Sequence, residues 1–208
     1  DYAGPEEFSE GCIPPVTADP IHLPYNTNTN GSTICITICI TFVELHSNVY
    51  VGGLIGYLQS YSTTNSASLN YSFAETNIIS TGNTEISSAG GLVGYLFGTN
   101  EGVPAYIYNS YFNGKIEGGV VTAGGIVGIQ DKYTAVTECY SKGTIDATTK
   151  TRNTSSGAIV GLSKNENAVN HCFSTAKLIS SNPNKTLYIN GSIIGSNCLD
   201  GNGGMDDF

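Results

Sequence analysis

One five-residue phrase constrains this chain more than any other feature. Gly52-Gly53-Leu54-Ile55-Gly56 returns as Gly90-Gly91-Leu92-Val93-Gly94 and as Gly124-Gly125-Ile126-Val127-Gly128. It returns again as Gly157-Ala158-Ile159-Val160-Gly161 and Gly191-Ser192-Ile193-Ile194-Gly195. The first glycines stand at 52, 90, 124, 157 and 191, so the steps are 38, 34, 33 and 34 residues. A period in that range marks a repeat architecture, in which one unit cannot bury its own apolar face and neighbours stack to share a core.

A second phrase keeps the same beat. It reads Ser72-Phe73-Ala74-Glu75-Thr76-Asn77-Ile78, then Ser110-Tyr111-Phe112-Asn113-Gly114-Lys115-Ile116. The later copies are Cys139-Tyr140-Ser141-Lys142-Gly143-Thr144-Ile145 and Cys172-Phe173-Ser174-Thr175-Ala176-Lys177-Leu178. In each, Ser or Cys precedes an aromatic residue and an aliphatic closes the phrase. Between the phrases the chain is rich in Thr, Ser, Asn, Val, Ile and Tyr, which suit strands and turns, and poor in the residues that helices use. Paired glycines let the backbone turn a corner or pass close to a neighbouring coil. The expected fold is all-β: a parallel β-solenoid of about four to five coils, period roughly 34, with about three short strands per coil. The expected division is an extended Pro-rich arm over 1–32, the solenoid over 33–198 and an acidic Gly-rich tail over 199–208.

The G-G-[LI]-[VI]-G phrase, followed by the aromatic and then by G-x-I, resembles the GLUG motif of bacterial surface and secreted proteins. The resemblance covers roughly residues 50–195, with Ala158 and Ser192 departing from the second glycine. It implies solenoid stalks or modules of adhesins and surface proteases, a motif that is not itself catalytic, and an extracellular or cell-surface setting.

The 208 residues carry a net charge of −9, and Arg152 is the sole arginine. An acidic surface repels phosphate backbones, so nucleic acid is not an expected partner. No apolar run of about eighteen residues is present, so no membrane-spanning helix is expected. The chain opens on Asp1, from which a processed form is expected. Six cysteines in a low-charge chain favour an oxidising compartment. Cys139 and Cys172 share one repeat position, and adjacent parallel strands lie about 4.8 Å apart, within the Cα range of a disulfide. A Cys139–Cys172 bridge is expected, the alternative being two reduced cysteines in a core ladder. The pairing of Cys12, Cys35, Cys39 and Cys198 stays open.

Residues 1–32 hold five prolines, which suit an extended arm docked on its own body or on a neighbour. The stretch Thr33–Phe42 alternates strictly, with Ile34, Ile36, Ile38, Ile40 and Phe42 on one face. It is expected either to cap the solenoid or to be donated to the next subunit as an assembly strand. The tracts Ser60–Leu69 and Asp146–Ser156 read as polar loops. Candidate N-glycosylation sequons are Asn30, Asn70, Asn153 and Asn184; Asn190 adjoins a glycine phrase, and roughly four sequons would arise by chance.

Catalytic and metal-binding patterns are thin. Glu117 and Asp146 share a repeat position, as a glycosidase or lyase pair would, yet the other copies have Ile79 and Ile179 there. Asp200, Asn202 and Asp206 have a faint calcium-loop spacing, without the closing Glu. His22, His46 and His171 keep no common spacing. No cofactor is expected. The sequence therefore points to a non-enzymatic structural or adhesive protein, a fibre subunit that assembles with neighbouring copies through the arm or strand 33–45. Glycans or cell-surface ligands are the candidate partners. The alternative is a carbohydrate-binding or polysaccharide-cleaving β-helix. An ice-binding solenoid would need Thr in register, which is not seen.

Overall fold

The computed structural model describes residues 43–44, 50–60, 66–80, 86–147, 154–165, 167–179 and 188–198, all within the compact unit Gly31–Phe208. Among them there is no helix, and so none long and apolar enough to cross a membrane. The arm 1–32, the assembly strand Ile34–Phe42, the tail 199–208 and Asn30, Asn153 and Asn184 lie outside the described residues.

The chain winds in coils. Coil 1 is β2 (Tyr50–Gly52), β3 (Ile55–Gln59), β4 (Ala67–Asn70) and β5 (Phe73–Ser80), preceded by β1 (Val43–Glu44). Coil 2 is β6 (Ile86–Gly90), β7 (Val93–Phe97), β8 (Ala105–Tyr108) and β9 (Tyr111–Gly118). Coil 3 is β10 (Val120–Gly124), β11 (Val127–Gln130), β12 (Thr134–Thr137) and β13 (Tyr140–Asp146). Coil 4 is β14 (Thr154–Gly157), β15 (Val160–Lys164), β16 (Ala168–Asn170), β17 (Phe173–Ser174) and β18 (Lys177–Ile179). A fifth coil opens with β19 (Tyr188–Gly191) and β20 (Ile194–Cys198).

Equivalent strands pair in parallel, giving four sheets. Sheet I is β2, β6, β10, β14 and β19, and sheet II is β3, β7, β11, β15 and β20. Sheet III is β4, β8, β12 and β16, while sheet IV runs β1, β5, β9, β13 and then β17 with β18. The fold is thus the expected parallel β-solenoid, with four strands per coil where three were expected. The extra strand arises because two corners break what pattern alone reads as continuous: the glycine phrase between sheets I and II, and a two-residue turn between sheets III and IV.

The glycine corner shows why the phrase repeats. A Cβ at Gly124 would stand 1.8 Å from the Val127 carbonyl oxygen and 2.6 Å from the Gly161 nitrogen. The turn closes on itself, and the next coil crosses it at backbone distance. Across this corner the Ile126 carbonyl accepts both the Leu92 and the Val93 amide at 3.0 Å, and the Ile159 carbonyl accepts Ile126 and Val127 at 2.9 and 3.0 Å. Inward from it, Leu92, Ile126 and Ile159 form one fully buried column. Two more columns fill the core: Ile78, Ile116 and Ile145, and Leu69, Ile107 and Val136. Each such side chain contributes about 1.5–3 kcal/mol by leaving water.

Two expected loops are in part strands. Ala67–Asn70 pairs with β8 and buries Leu69 completely, so the tract's one aliphatic faces inward between Ser68 and Asn70. Thr154–Gly157 is wholly buried in sheet I, with Ser155 in register with Thr122 and Ser88 and Ser156 in register with Ala123 and Ala89. There the Ser155 hydroxyl donates to the Gly161 carbonyl at 2.7 Å, as Ser88 does to Gly94 at 2.8 Å.

The corner geometry makes a direct prediction. Gly124→Ala loses about 3 kcal/mol or more in urea unfolding, because the methyl meets backbone that cannot move aside. Ser192→Ala, at an exposed position of the same phrase, stays within about 0.5 kcal/mol of the native chain. Equal losses at the two positions would contradict this account of the corner.

Candidate functional site

Sheet IV carries the richest chemistry, and the corner that leads into it sets its orientation. Tyr71, Asn109, Glu138 and His171 occupy the same corner in four successive coils, each with φ between 49° and 53°. This left-handed backbone costs non-glycine residues of order 1 kcal/mol or more and persists only where neighbours hold it. The holding group is the Ser or Cys that follows. Ser72 and Ser110 hydroxyls donate to the carbonyls of Asn70 and Tyr108, both at 2.9 Å. The Cys139 and Cys172 sulfurs stand 3.3 Å from the carbonyls of Thr137 and Asn170. Ser110 and Cys172 also take an amide from the coil before: Ser72 N–H donates to Ser110 Oγ at 3.1 Å, and Cys139 N–H to Cys172 Sγ at 3.4 Å. A small group that both donates and accepts is what the corner needs, which is why Ser and Cys interchange there.

Past the corner, residues alternate strictly, and the outer face of sheet IV becomes a grid. Its first column is aromatic: Phe73, Tyr111, Tyr140 and Phe173 are in register. Phe73 stacks on Tyr111 at 5.1 Å and 4°, and Tyr140 on Phe173 at 4.4 Å and 25°. The second column is Glu75, Asn113, Lys142 and Thr175, and the third is Asn77, Lys115, Thr144 and Lys177. The fourth is Ile79, Glu117, Asp146 and Ile179. Phe173 is 61% exposed, and Lys115, Lys142 and Lys177 all project into solvent. Glu117 and Asp146 are half-buried on adjacent coils, as their repeat position implies.

A second cluster lies where sheets I and II open. Tyr57 and Tyr95 stack at 5.1 Å with Tyr50 leaning on both. Tyr95 Oη donates to Asp131 Oδ2 at 2.5 Å, and Asp131 Oδ1 accepts from Asn165 Nδ2 at 2.7 Å and the Lys132 amide at 2.8 Å. Burial first, and donation to Asp131 second, push the Tyr95 phenol far above its ordinary value. Coils 2, 3 and 4 are clamped together by this network. Among the described residues no group of three His, Cys, Asp or Glu could hold a metal ion.

The structure corrects two expected sites. Cys139 and Cys172 do stack, but as free thiols. Both lie in the turn before sheet IV, where each sulfur is turned onto a carbonyl of its own coil, Thr137 for Cys139 and Asn170 for Cys172. Asn70 is 6% exposed inside β4, and the hydroxyl of its sequon Ser72 is engaged on the Asn70 carbonyl. A glycan has no room there. The aromatic column was visible as the second repeated phrase, but its outward direction follows only from the corner before it. The Tyr95–Asp131–Asn165 network left no sequence signal, since its members fall on different columns of different coils.

Comparison of the chain with family models, with curated proteins and with solved structures returns no match.

The two thiols titrate apart. When Cys172 ionises it is held by the Cys139 thiol and the Cys139 amide, which brings it down to about 7 against the opposing effect of burial. Donation to Cys172 and then burial push Cys139 well above the usual thiol range. Iodoacetamide labelling followed by peptide mass spectrometry should modify Cys172 slowly below pH 7 and faster above it, as the thiolate forms. Cys139 should stay protected until the chain unfolds. Equal rates at both positions, or a bridge between them, would contradict this arrangement.

Proposed function

We propose that this chain is a non-enzymatic structural and adhesive protein of the extracellular space or cell surface, built from GLUG-like repeats and assembling with its own copies. The observation that carries the reading is an asymmetry between coil 1 and coil 4. In coil 1, Leu69, Ser72, Ala74 and Ile78 are all at most 2% exposed. Their counterparts in coil 4, Val169, Cys172, Ser174 and Leu178, are only half-buried. Among the described residues these columns are tightly covered in coil 1 and half-exposed in coil 4, on sheets III and IV. Half-exposed apolar columns offer a surface that a neighbouring strand can complete, which favours head-to-tail growth. The segment Ile34–Phe42, with its alternating isoleucines, is the proposed donor; it precedes β1, which pairs with β5 of its own chain.

A carbohydrate-binding role is the second reading, favoured by the aromatic column on sheet IV. Light scattering and negative-stain electron microscopy test the first. The full chain should form concentration-dependent oligomers or fibres, and removal of residues 1–42 should abolish them. A strictly monomeric chain that cleaves polysaccharide would contradict the proposal.

A further inference from the structure

The outer face of sheet IV points to a ligand class. Over coils 2 to 4 its two middle columns hold Asn113, Lys115, Lys142, Thr144, Thr175 and Lys177, with three cations and no anion. The whole chain has only eight Lys and Arg and a net charge of −9, and three of those cations gather on this strip, apart from Glu75, Glu117 and Asp146 at its margins. Lys115 and Lys177 share a column two coils apart, about 10 Å at the strand spacing, and Lys142 sits between them in the next column. Beside the strip runs the aromatic column, with the Tyr140 hydroxyl bonded to Thr175 Oγ1 at 2.8 Å.

We infer that this strip binds an acidic polysaccharide laid along the solenoid axis, its sugar rings against Tyr111, Tyr140 and Phe173 and its carboxylates or sulfates against the three lysines. This rests on the adhesive reading and names its ligand. The partner must be anionic, because over coils 2 to 4 the strip itself holds no carboxylate to neutralise the three lysines. It must also be sparsely charged. Duplex DNA carries one charge per about 1.7 Å, and the acidic remainder of the surface would repel it. A polysaccharide with about one charge per sugar meets three lysines spread over two coils without that penalty, and its apolar ring faces suit aromatic side chains. Glu117 and Asp146 border the strip and set its edge by repulsion.

Affinity electrophoresis of the full chain tests this, in gels holding polygalacturonate, chondroitin sulfate, neutral galactan or duplex DNA. Retardation is expected with one or both acidic polysaccharides, weakened at least tenfold at about 0.5 M salt. The triple variant Lys115→Ala, Lys142→Ala, Lys177→Ala should lose at least tenfold in affinity, and Lys→Arg at the same positions should keep it. Tyr140→Ala with Phe173→Ala should weaken binding to every acidic polysaccharide that is bound. Absence of retardation by both acidic probes, equal retardation by galactan or DNA, or full affinity in the triple alanine variant would overturn the inference. Copies that still assemble without binding either acidic probe would remove this inference and leave the fibre reading standing. A strict monomer that binds them would do the reverse.

Discussion

The fold depends on one contact: backbone against backbone at the glycine corner, where a carbonyl of one coil receives two amides of the coil before it. No side chain can enter there. Gly90 and Gly157, like Gly124, would place a Cβ 1.9 Å from a carbonyl oxygen of their own turn. The third glycine of the phrase faces the neighbouring coil, so that a Cβ at Gly94 would meet the Gly56 oxygen at 2.6 Å. At the second position a Cβ would meet the backbone oxygen of the next coil first, at 2.2 Å from Gly53 and 2.1 Å from Gly91 and Gly125, and the side chain opposite next, the Phe112 ring at 2.3 Å from Gly91. Once the corners stack, register is set, and register determines which residues point in and which point out.

That single constraint has distant consequences. It aligns Leu92, Ile126 and Ile159 in the core and, about half a coil later, aligns Phe73, Tyr111, Tyr140 and Phe173 on the surface. It also tolerates exceptions. Gln130 stands in a column with Leu58 and Leu96 and is fully buried, its amide donating to the Ala168 carbonyl at 3.1 Å. A core made of columns can absorb one polar member if an adjacent coil supplies an acceptor. The left-handed corners at Tyr71, Asn109, Glu138 and His171 are the other exception, strained backbone held by Ser and Cys side chains that bridge coils.

The period, the parallel stacking and the inward aliphatics were legible because glycine has few reasons to recur at 33 to 38 residues, and the structure gives it a steric one. Three features were not. The count of four strands per coil was hidden, since a left-handed corner at Tyr71 or Glu138 has no residue preference strong enough to notice. The strand character of Thr154–Gly157 was masked by its polarity, although the tract is wholly buried in sheet I and Ser155 donates to the Gly161 carbonyl. The outward lysines of sheet IV were equally unreadable, because Lys115, Lys142 and Lys177 become neighbours only after the coils are stacked.

The surface grid inherits its geometry from the stacked columns, so the columns are the thing to measure. Methyl-resolved NMR on the labelled chain can do this. The account predicts cross-peaks between Leu92 and Ile126, between Ile126 and Ile159, and between Ile116 and Ile145, with none linking Leu92 directly to Ile159. Isoleucines that show contacts only to residues near them in sequence would mean that the coils do not stack, and the account would be wrong from the corner outward.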